Sequence, residues 1–348
     1  MPRRYLTRRV SHYESRTHGI MKISAVILAS ALAASNAAAQ QPVNQTLPSA
    51  ATGSVEIQNV TGEVHVIGWD RPEIRITGRL GEGTERLAVD GDRNRTVIQV
   101  VLPKNARNVQ ESQLEIHVPS RKDVKINTVS ANIVVEGLSG TLESHAVSGD
   151  VNVTGSPSRV TAASVSGDVL VNVSTDQVRS STTSGDLKVS GTVRQSLYAE
   201  SVSGDVTVDA PTPDLTARSV SGDLQITGVS RRVTATTVSG DANIRAGRIQ
   251  YGSFETVSGL LHFYGDLQPD AAFNVKSHSG DVELSLPASI AASFQVNTFS
   301  GDISNAFGGA ARRTSRFGPG EELNFSSGTG GALISVKTFS GSVRLIKR

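Results

Sequence analysis

The chain has 348 residues, 34 Lys+Arg against 32 Asp+Glu, only 4% aromatic residues and no cysteine. The lack of cysteine excludes disulfides and a lipid anchor on an N-terminal cysteine. The slight excess of basic residues lies in the first 39 positions and gives no sign of nucleic acid, which is not expected as a partner.

Residues 1–20 fit no targeting class and read as a non-native upstream extension, with translation expected to begin at Met21. Residues 21–39 read as a signal peptide. Lys22 supplies the charged start, Ile23 to Ala34 the apolar run, and Ala37-Ala38-Ala39 a small-residue site with cleavage expected after Ala39. The run is too short to stay in a bilayer as a span, and no second run of spanning length follows, so the mature chain is expected to have no integral membrane segment. A periplasmic or secreted location follows from this reading. Losing residues 1–39 removes Arg3, Arg4, Arg8, Arg9, Arg16 and Lys22 against one acid, Glu14, leaving 28 Lys+Arg against 31 Asp+Glu and a net charge of −3 in place of +2. Residues 40–52 are small and polar and read as a disordered linker.

Residues 53–121 read as irregular coils and an N-terminal cap. Asn59-Val60-Thr61-Gly62-Glu63-Val64-His65-Val66 has a strand, corner, strand pattern, and Trp69-Asp70-Arg71-Pro72 breaks it before Glu73 to Ile76 resumes it. Trp69 is expected to cover the first coil as part of the cap, with a ligand platform as the alternative. Gly81 to Arg95 reads as a loop or hairpin tip, and Thr96 to Pro103 and Gln113 to Pro119 as strands.

Residues 122–348 carry a repeat. Ser-Gly-Asp occurs at Ser148, Ser166, Ser184, Ser203, Ser221, Ser239, Ser279 and Ser300, with degraded copies at Ser130, Ser258 and Ser340. Successive spacings from Ser130 are 18, 18, 18, 19, 18, 18, 19, 21, 21 and 40, the last read as two turns with one marker lost. After each marker the residues alternate, as in Val151-Asn152-Val153 and Val169-Leu170-Val171, the period of a strand with one buried face. A second apolar column stands six residues before the serine (Val124, Leu142, Val160, Val178, Leu197, Leu215, Val233). Two residues before the serine the column is hydroxyl, including Thr128, Ser164, Thr182, Ser201, Ser219 and Thr237, and is expected to hydrogen-bond along itself. One coil cannot bury these columns alone, so the coils must stack.

The expected fold is therefore all-β, a single-stranded parallel β-helix (β-solenoid) of about 18–21 residues per coil, each coil two short strands joined by a tight corner and a looser connection. Right-handed winding is the expectation from how parallel coils usually run. A left-handed hexapeptide helix would need an aliphatic residue every six positions, but Val151 is followed by Pro157 and Ala163. The corner glycines Gly149, Gly167, Gly185, Gly204, Gly222, Gly240, Gly280 and Gly301 are expected to supply permissive backbone angles. All nine Phe lie beyond position 250, where the spacing lengthens, which implies a wider interior there. Residues 307–331 carry seven glycines with Arg312, Arg313 and Arg316 and read as a loop excursion from one coil. The basic end of the last strand, Val343 to Arg348, reads as protection of an exposed edge.

The Ser-Gly-Asp-Val-x-Val repeats behind a signal peptide, together with Gly53-Ser54-Val55-Glu56-Ile57 and Val64-His65-Val66-Ile67-Gly68-Trp69-Asp70, resemble the bacterial putative-adhesin family, a domain of unknown function. The resemblance covers roughly Gly53 to Arg348 and implies an envelope-associated β-solenoid. It brings no catalytic residue with it.

The aspartates Asp150, Asp168, Asp186, Asp205, Asp223 and Asp241, followed by Asp281 and Asp302, form a ladder. Stacked carboxylates repel, so either each is locally hydrogen-bonded or a cation, calcium being the candidate, bridges them. Calcium-binding nine-residue repeats use Gly-Gly-x-Gly-x-Asp on two facing turns, whereas this chain has one Asp per coil, and local hydrogen bonding is the preferred reading. His65, His117, His145, His262 and His278 include no metal-binding pair, no cofactor is implied, and His278 beside Ser279 and Asp281 reads as a packed histidine rather than part of a triad. The expected function is a non-catalytic, adhesin-like binding or scaffold protein of the envelope, with an envelope protein or a glycan as partner. The alternatives are a periplasmic envelope-stress or regulatory component docking a protein, and a polysaccharide-active β-helix enzyme.

Overall fold

The computed structural model describes residues 40–315, 318–329 and 331–348. The segments expected as upstream extension (1–20) and signal peptide (21–39) lie outside the described residues. Described residues form one unit, an all-β stack of parallel coils with no helix. No helix among them is long and apolar enough to cross a membrane.

A representative coil shows how the columns become structure. The chain runs as one strand over Val169–Thr182, turns through Ser184-Gly185-Asp186, and starts the next strand, Leu187–Ser201. In register, Val169 lies beside Leu187 and Val171 beside Val189 on one face, and Val178 beside Leu197 on the other. The apolar members of each column point inward and are almost wholly buried, so each coil completes the core of its neighbour. The expected looser connection is itself strand. Val173 and Thr175 also turn inward, and the ladder continues past them with a single register shift between Thr175 and Gln177.

Toward the C-terminus the interior widens as the long coils imply. Phe254, Phe263 and Phe273 are buried against one another with ring centroids 4.7–5.7 Å apart. Room for them comes from Gly252, where a Cβ would stand 2.7 Å from both Phe254 and Phe273.

Both ends depart from sequential stacking. The strands Ala332–Ser340 and Val343–Lys347 do not follow the Ser300 coil outward. They insert between it and the Ser279 coil: Phe273 pairs with Ile334, Ile334 with Phe294, Val282 with Val343 and Val343 with Ile303. The stack thus runs through the Ser279, Ser340 and Ser300 markers in that order. The 40-residue interval contains no lost turn. It contains Glu321–Ser327, an antiparallel strand on the outer side of Ala292–Ser300, with Arg312–Arg313 paired to it in turn. Three expectations are corrected here: the long interval holds no lost turn, the stretch expected as a loop excursion (307–331) supplies capping strands at Arg312–Arg313 and Glu321–Ser327, and the last strand is paired on both sides rather than exposed.

The N-terminal end is built the same way. Ser54–Trp69 lies between Asp123–Leu138 on one side and, on the other, Arg95–Val101 and Ser112–Pro119. Antiparallel strands close this end, Arg86–Gly91 on Arg95–Val101, and Glu73–Leu80 on Ser112–Pro119. The outermost strand is Gln41–Pro48, paired antiparallel with Glu73–Leu80. Residues 40–52 are therefore not a disordered linker. Val43 is buried and Leu47 half-buried, and the ladder of main-chain bonds orders a stretch whose small polar composition gave no such signal.

Candidate functional site

The Ser-Gly-Asp corners align into one edge of the stack, and each residue of the corner has a separate task. The buried hydroxyl two residues before the serine caps the corner. Ser164 Oγ donates to the Gly149 carbonyl (2.8 Å) and accepts from the Gly167 amide (3.0 Å), Ser201 does the same for Gly185 and Gly204, and Thr182 donates to Gly167 O. The hydroxyls bond to the main chain of the corners and not, as expected, along their own column. At Thr237 the hydroxyl is buried without a partner, and the corner after it has Gly240 at φ +144°.

Glycine is required by close approach. At Gly167, Gly185 and Gly222 a Cβ would stand 2.2 Å from the carbonyl oxygen of the corner glycine one coil earlier. Gly149, Gly204 and Gly280 are equally close to the preceding coil, at 2.0–2.1 Å. Of the corner glycines expected to supply permissive backbone angles, Gly240 and Gly301 have positive φ, and at the other six the close approach is what calls for glycine. Gly341 approaches the Gly280 carbonyl and Gly301 the Gly341 carbonyl, at 2.3 Å each, so the corner contact also follows the interleaved order.

The aspartates form a ladder between coils. Asp150 Oδ1 accepts the Asp168 amide (2.9 Å), Asp168 that of Asp186 (2.8 Å), Asp186 that of Asp205 (2.9 Å), Asp205 that of Asp223 (2.9 Å), and Asp223 that of Asp241 (2.8 Å). Asp241 continues to Leu260 and Asp281 to Ser342. Asn132 starts the series by accepting from Asp150, so an amide oxygen serves as well as a carboxylate. These seven carboxylates each meet a main-chain donor, and among the described residues no group of three His, Cys, Asp or Glu is placed to hold a metal ion. Ion pairs lie elsewhere, as at Lys125–Glu143, Arg194–Asp176 and Arg231–Asp214, and among the described residues none uses a corner aspartate.

Beside this acidic row runs an apolar one that the sequence reading passed over. The residue before each serine points outward: Val129, Val147, Val165, Val202, Val220, Val238 and Val257 are 39–48% exposed. Thr183 is the polar member. The row ends in three stacked rings, His278 on Phe339 (5.0 Å, 2°) and Phe339 on Phe299 (4.8 Å, 4°), with Phe339 and Phe299 50% and 61% exposed. Its signal was present in the sequence, since alternation from the inward hydroxyl puts the next side chain outside. His278 is thus packed against Phe339, but on the surface.

The remaining candidates are dispersed. His65 stands 3.7 Å from Glu136, His145 3.0 Å from Glu143 and His262 3.7 Å from Glu283. Trp69 packs against His117 with the rings tilted (4.8 Å, 41°) and lies under Arg71, its indole donating to Glu73 O, at the rim of a shallow recess with Arg121 and Ser139. On an outer face Tyr198 lies against Arg179 and Tyr251 against Arg232. Lys122 is fully buried, its Nζ donating to the Arg93 and Asn94 carbonyls, and that burial holds its pKa below the ordinary lysine value against the opposing pull of Asp92.

A family model described as Toastrack DUF4097 matches residues 34–195 and again residues 158–345. Among solved structures, the chain is similar to a putative adhesin from Parabacteroides distasonis (12% identity, 88% of this chain and 97% of that one, TM-score 0.38). It is similar also to a putative adhesin from Bacteroides fragilis (11%, 88% and 97%, TM-score 0.35) and a putative lipid binding protein from P. distasonis (11%, 88% and 97%, TM-score 0.30). No curated protein matches the chain.

Proposed function

The chain belongs to the Toastrack DUF4097 family, and from that premise we propose that it is a non-catalytic, adhesin-like binding or scaffold protein of the bacterial envelope, acting in the periplasm or outside the cell. The observation that carries this reading is the repetition of the surface. Successive coils present the same kinds of side chain at one position after another, the corner aspartates recur one per coil, and among the described residues no three acidic or histidine groups converge at one place. A surface of that kind suits recognition over a long track. Hydrolysis of a polysaccharide would instead need carboxylates gathered across one groove. The extracytoplasmic location rests on the signal read at residues 21–39.

The reading is tested by locating the tagged protein among cytoplasm, periplasm, outer membrane and medium, and by capture from outer-membrane and peptidoglycan fractions. Cytoplasmic retention, or turnover of a polysaccharide panel, would overturn it. A second reading, a periplasmic scaffold that docks another protein, is favoured by the exposed Val and Phe row, since polysaccharide recognition has no use for a row of valines.

A further inference from the structure

We infer that the corner edge is a docking track for a basic amphipathic helix of a partner protein. The inference rests on the scaffold reading above and specifies its surface. Valine recurs at the exposed position before the serine although Thr183 shows that a hydroxyl residue fits there. A contiguous apolar row left in water on coil after coil marks a surface that another molecule covers.

The neighbouring row decides the chemistry of the occupant. The corner aspartates Asp150, Asp168, Asp186, Asp205 and Asp223 each spend one oxygen on an amide of the next coil; all five are exposed, and among the described residues none has an ion-pair partner. Apolar side chains flanked by unneutralised carboxylates call for an occupant with an apolar stripe and flanking Lys or Arg. An anionic lipid surface would be repelled by the acidic row, and a second copy of this chain would bring a like-charged row to the interface. The pitch suits a helix. Rungs about 4.8 Å apart meet a helix that returns one face every 5.4 Å or so, a slip of about 0.6 Å per turn, so about four turns engage before half a rung is lost.

The test titrates the full chain into a fluorescent, roughly 14-residue Leu/Lys helix, about four turns long, beside a matched Leu/Glu helix and phosphatidylglycerol vesicles. Two variant sets use residues that the fold already accepts at these places: Val147→Thr, Val165→Thr, Val202→Thr and Val220→Thr after Thr183, and Asp168→Asn, Asp186→Asn and Asp205→Asn after Asn132. The Lys helix is expected to bind, more weakly as salt rises. The threonine set should weaken it roughly tenfold, and the asparagine set should weaken it and flatten the salt dependence. The Glu helix and the vesicles should not bind.

The inference falls if the Lys helix does not bind, if both sets leave its binding unchanged, if the Glu helix binds equally well, or if the threonine set abolishes vesicle binding or self-association instead. Capture from envelope fractions with the same variants separates the two levels. Partners retained by both sets would sink the edge and leave the scaffold reading standing, whereas a native protein that captures nothing would sink the scaffold reading itself.

Discussion

Asp168 Oδ1 accepts the main-chain amide of Asp186, one coil on, at 2.8 Å, and Asp186 hands the same bond to Asp205. The carboxylates that would repel one another in a bare stack are each anchored to a donor instead, and the corner is tied to its neighbour by a side chain as well as by the strand ladder. Asn132 does the same for Asp150 at 3.0 Å. Replacing Asp168 by Asn should therefore leave the unfolding free energy within about 0.5 kcal/mol, whereas Asp168→Ala, which strands the Asp186 amide, should lower it by about 1 kcal/mol. Denaturant unfolding of the two variants decides it. Equal losses would mean that charge, not the acceptor, is what the corner needs.

Gly185 is pressed against its neighbour's main chain. A Cβ there would lie 2.2 Å from Gly167 O and 2.6 Å from its carbonyl carbon, and neither atom can yield without parting the coils. Gly185→Ala is expected to cost about 3 kcal/mol. Gly247, where the nearest atom to a Cβ would be Val229 O at 3.4 Å, is the control, with an expected change within about 0.5 kcal/mol on replacement by alanine. A Gly185→Ala protein as stable as the control would show that the corner relaxes.

The aromatic interior sets the stability of the wider coils. Phe254 is wholly buried with Phe263 and Phe273 as ring neighbours, and Phe254→Ala should lose about 3–5 kcal/mol through the cavity left behind. Phe339, half exposed in the surface stack, should lose at most about 1.5 kcal/mol on the same change. Thermal and denaturant unfolding of the pair measure the contrast.

Lys122 carries a pH dependence of defined sign. Burial lowers its pKa in the folded chain from 10.5, so the unfolded chain holds this proton more tightly. The resulting cost to the folded state is complete below the folded-state pKa, and it is relieved as pH rises from there toward 10.5, so Lys122's contribution to stability increases with pH across that window. Lys122→Met removes the titrating group. The stability difference, native minus variant, should therefore climb with pH in unfolding experiments run up to the ordinary lysine pKa. A flat difference would mean that the two carbonyl bonds, rather than the buried charge, govern the site.

The coil itself was legible in the sequence because its determinants are local. Alternation after the marker defines the strand, and Val165-Ser166-Gly167-Asp168 states a whole turn in four residues, whereas the hydroxyl column showed its burial but not its partner: the carbonyl that Ser164 reaches belongs to Gly149, one coil away. The location of Phe254, Phe263 and Phe273 likewise followed from the lengthening interval. What did not follow was the order of the coils at the ends. The columns of the Ser300 and Ser340 copies, Phe294 and Ile334 inside and Thr298 and Thr338 at the corner, are interchangeable as neighbours of Phe273 and Ser277, so spacing alone favours the sequential neighbour. The decision is made at a distance by Glu321–Ser327, whose Phe325 stacks on Phe294 (4.6 Å, 4°) and closes the Ser300 coil from outside. The exposed valines were visible as letters but not as an edge, because a row has no meaning until the coils that align it are counted.

The interleaved end gives the most direct test of the architecture. Lys276 lies beside Lys337, and Lys337 beside Asn297, so Asn297 is two strands from Lys276. Sequential stacking would place Asn297 next to Lys276 instead. The chain has no cysteine of its own, so pairs can be introduced without competition. Strands one rung apart, about 4.8 Å, fall within the Cα separation a disulfide accepts, and strands two rungs apart, nearly 10 Å, do not. Lys276→Cys with Lys337→Cys should oxidise readily and bind the C-terminal strand covalently to the stack, while Lys276→Cys with Asn297→Cys should stay reduced. Mass spectrometry of the oxidised proteins reads both. The reverse pattern would return the last two strands to the outside of the stack, and with them the exposed edge that the enclosed arrangement removes.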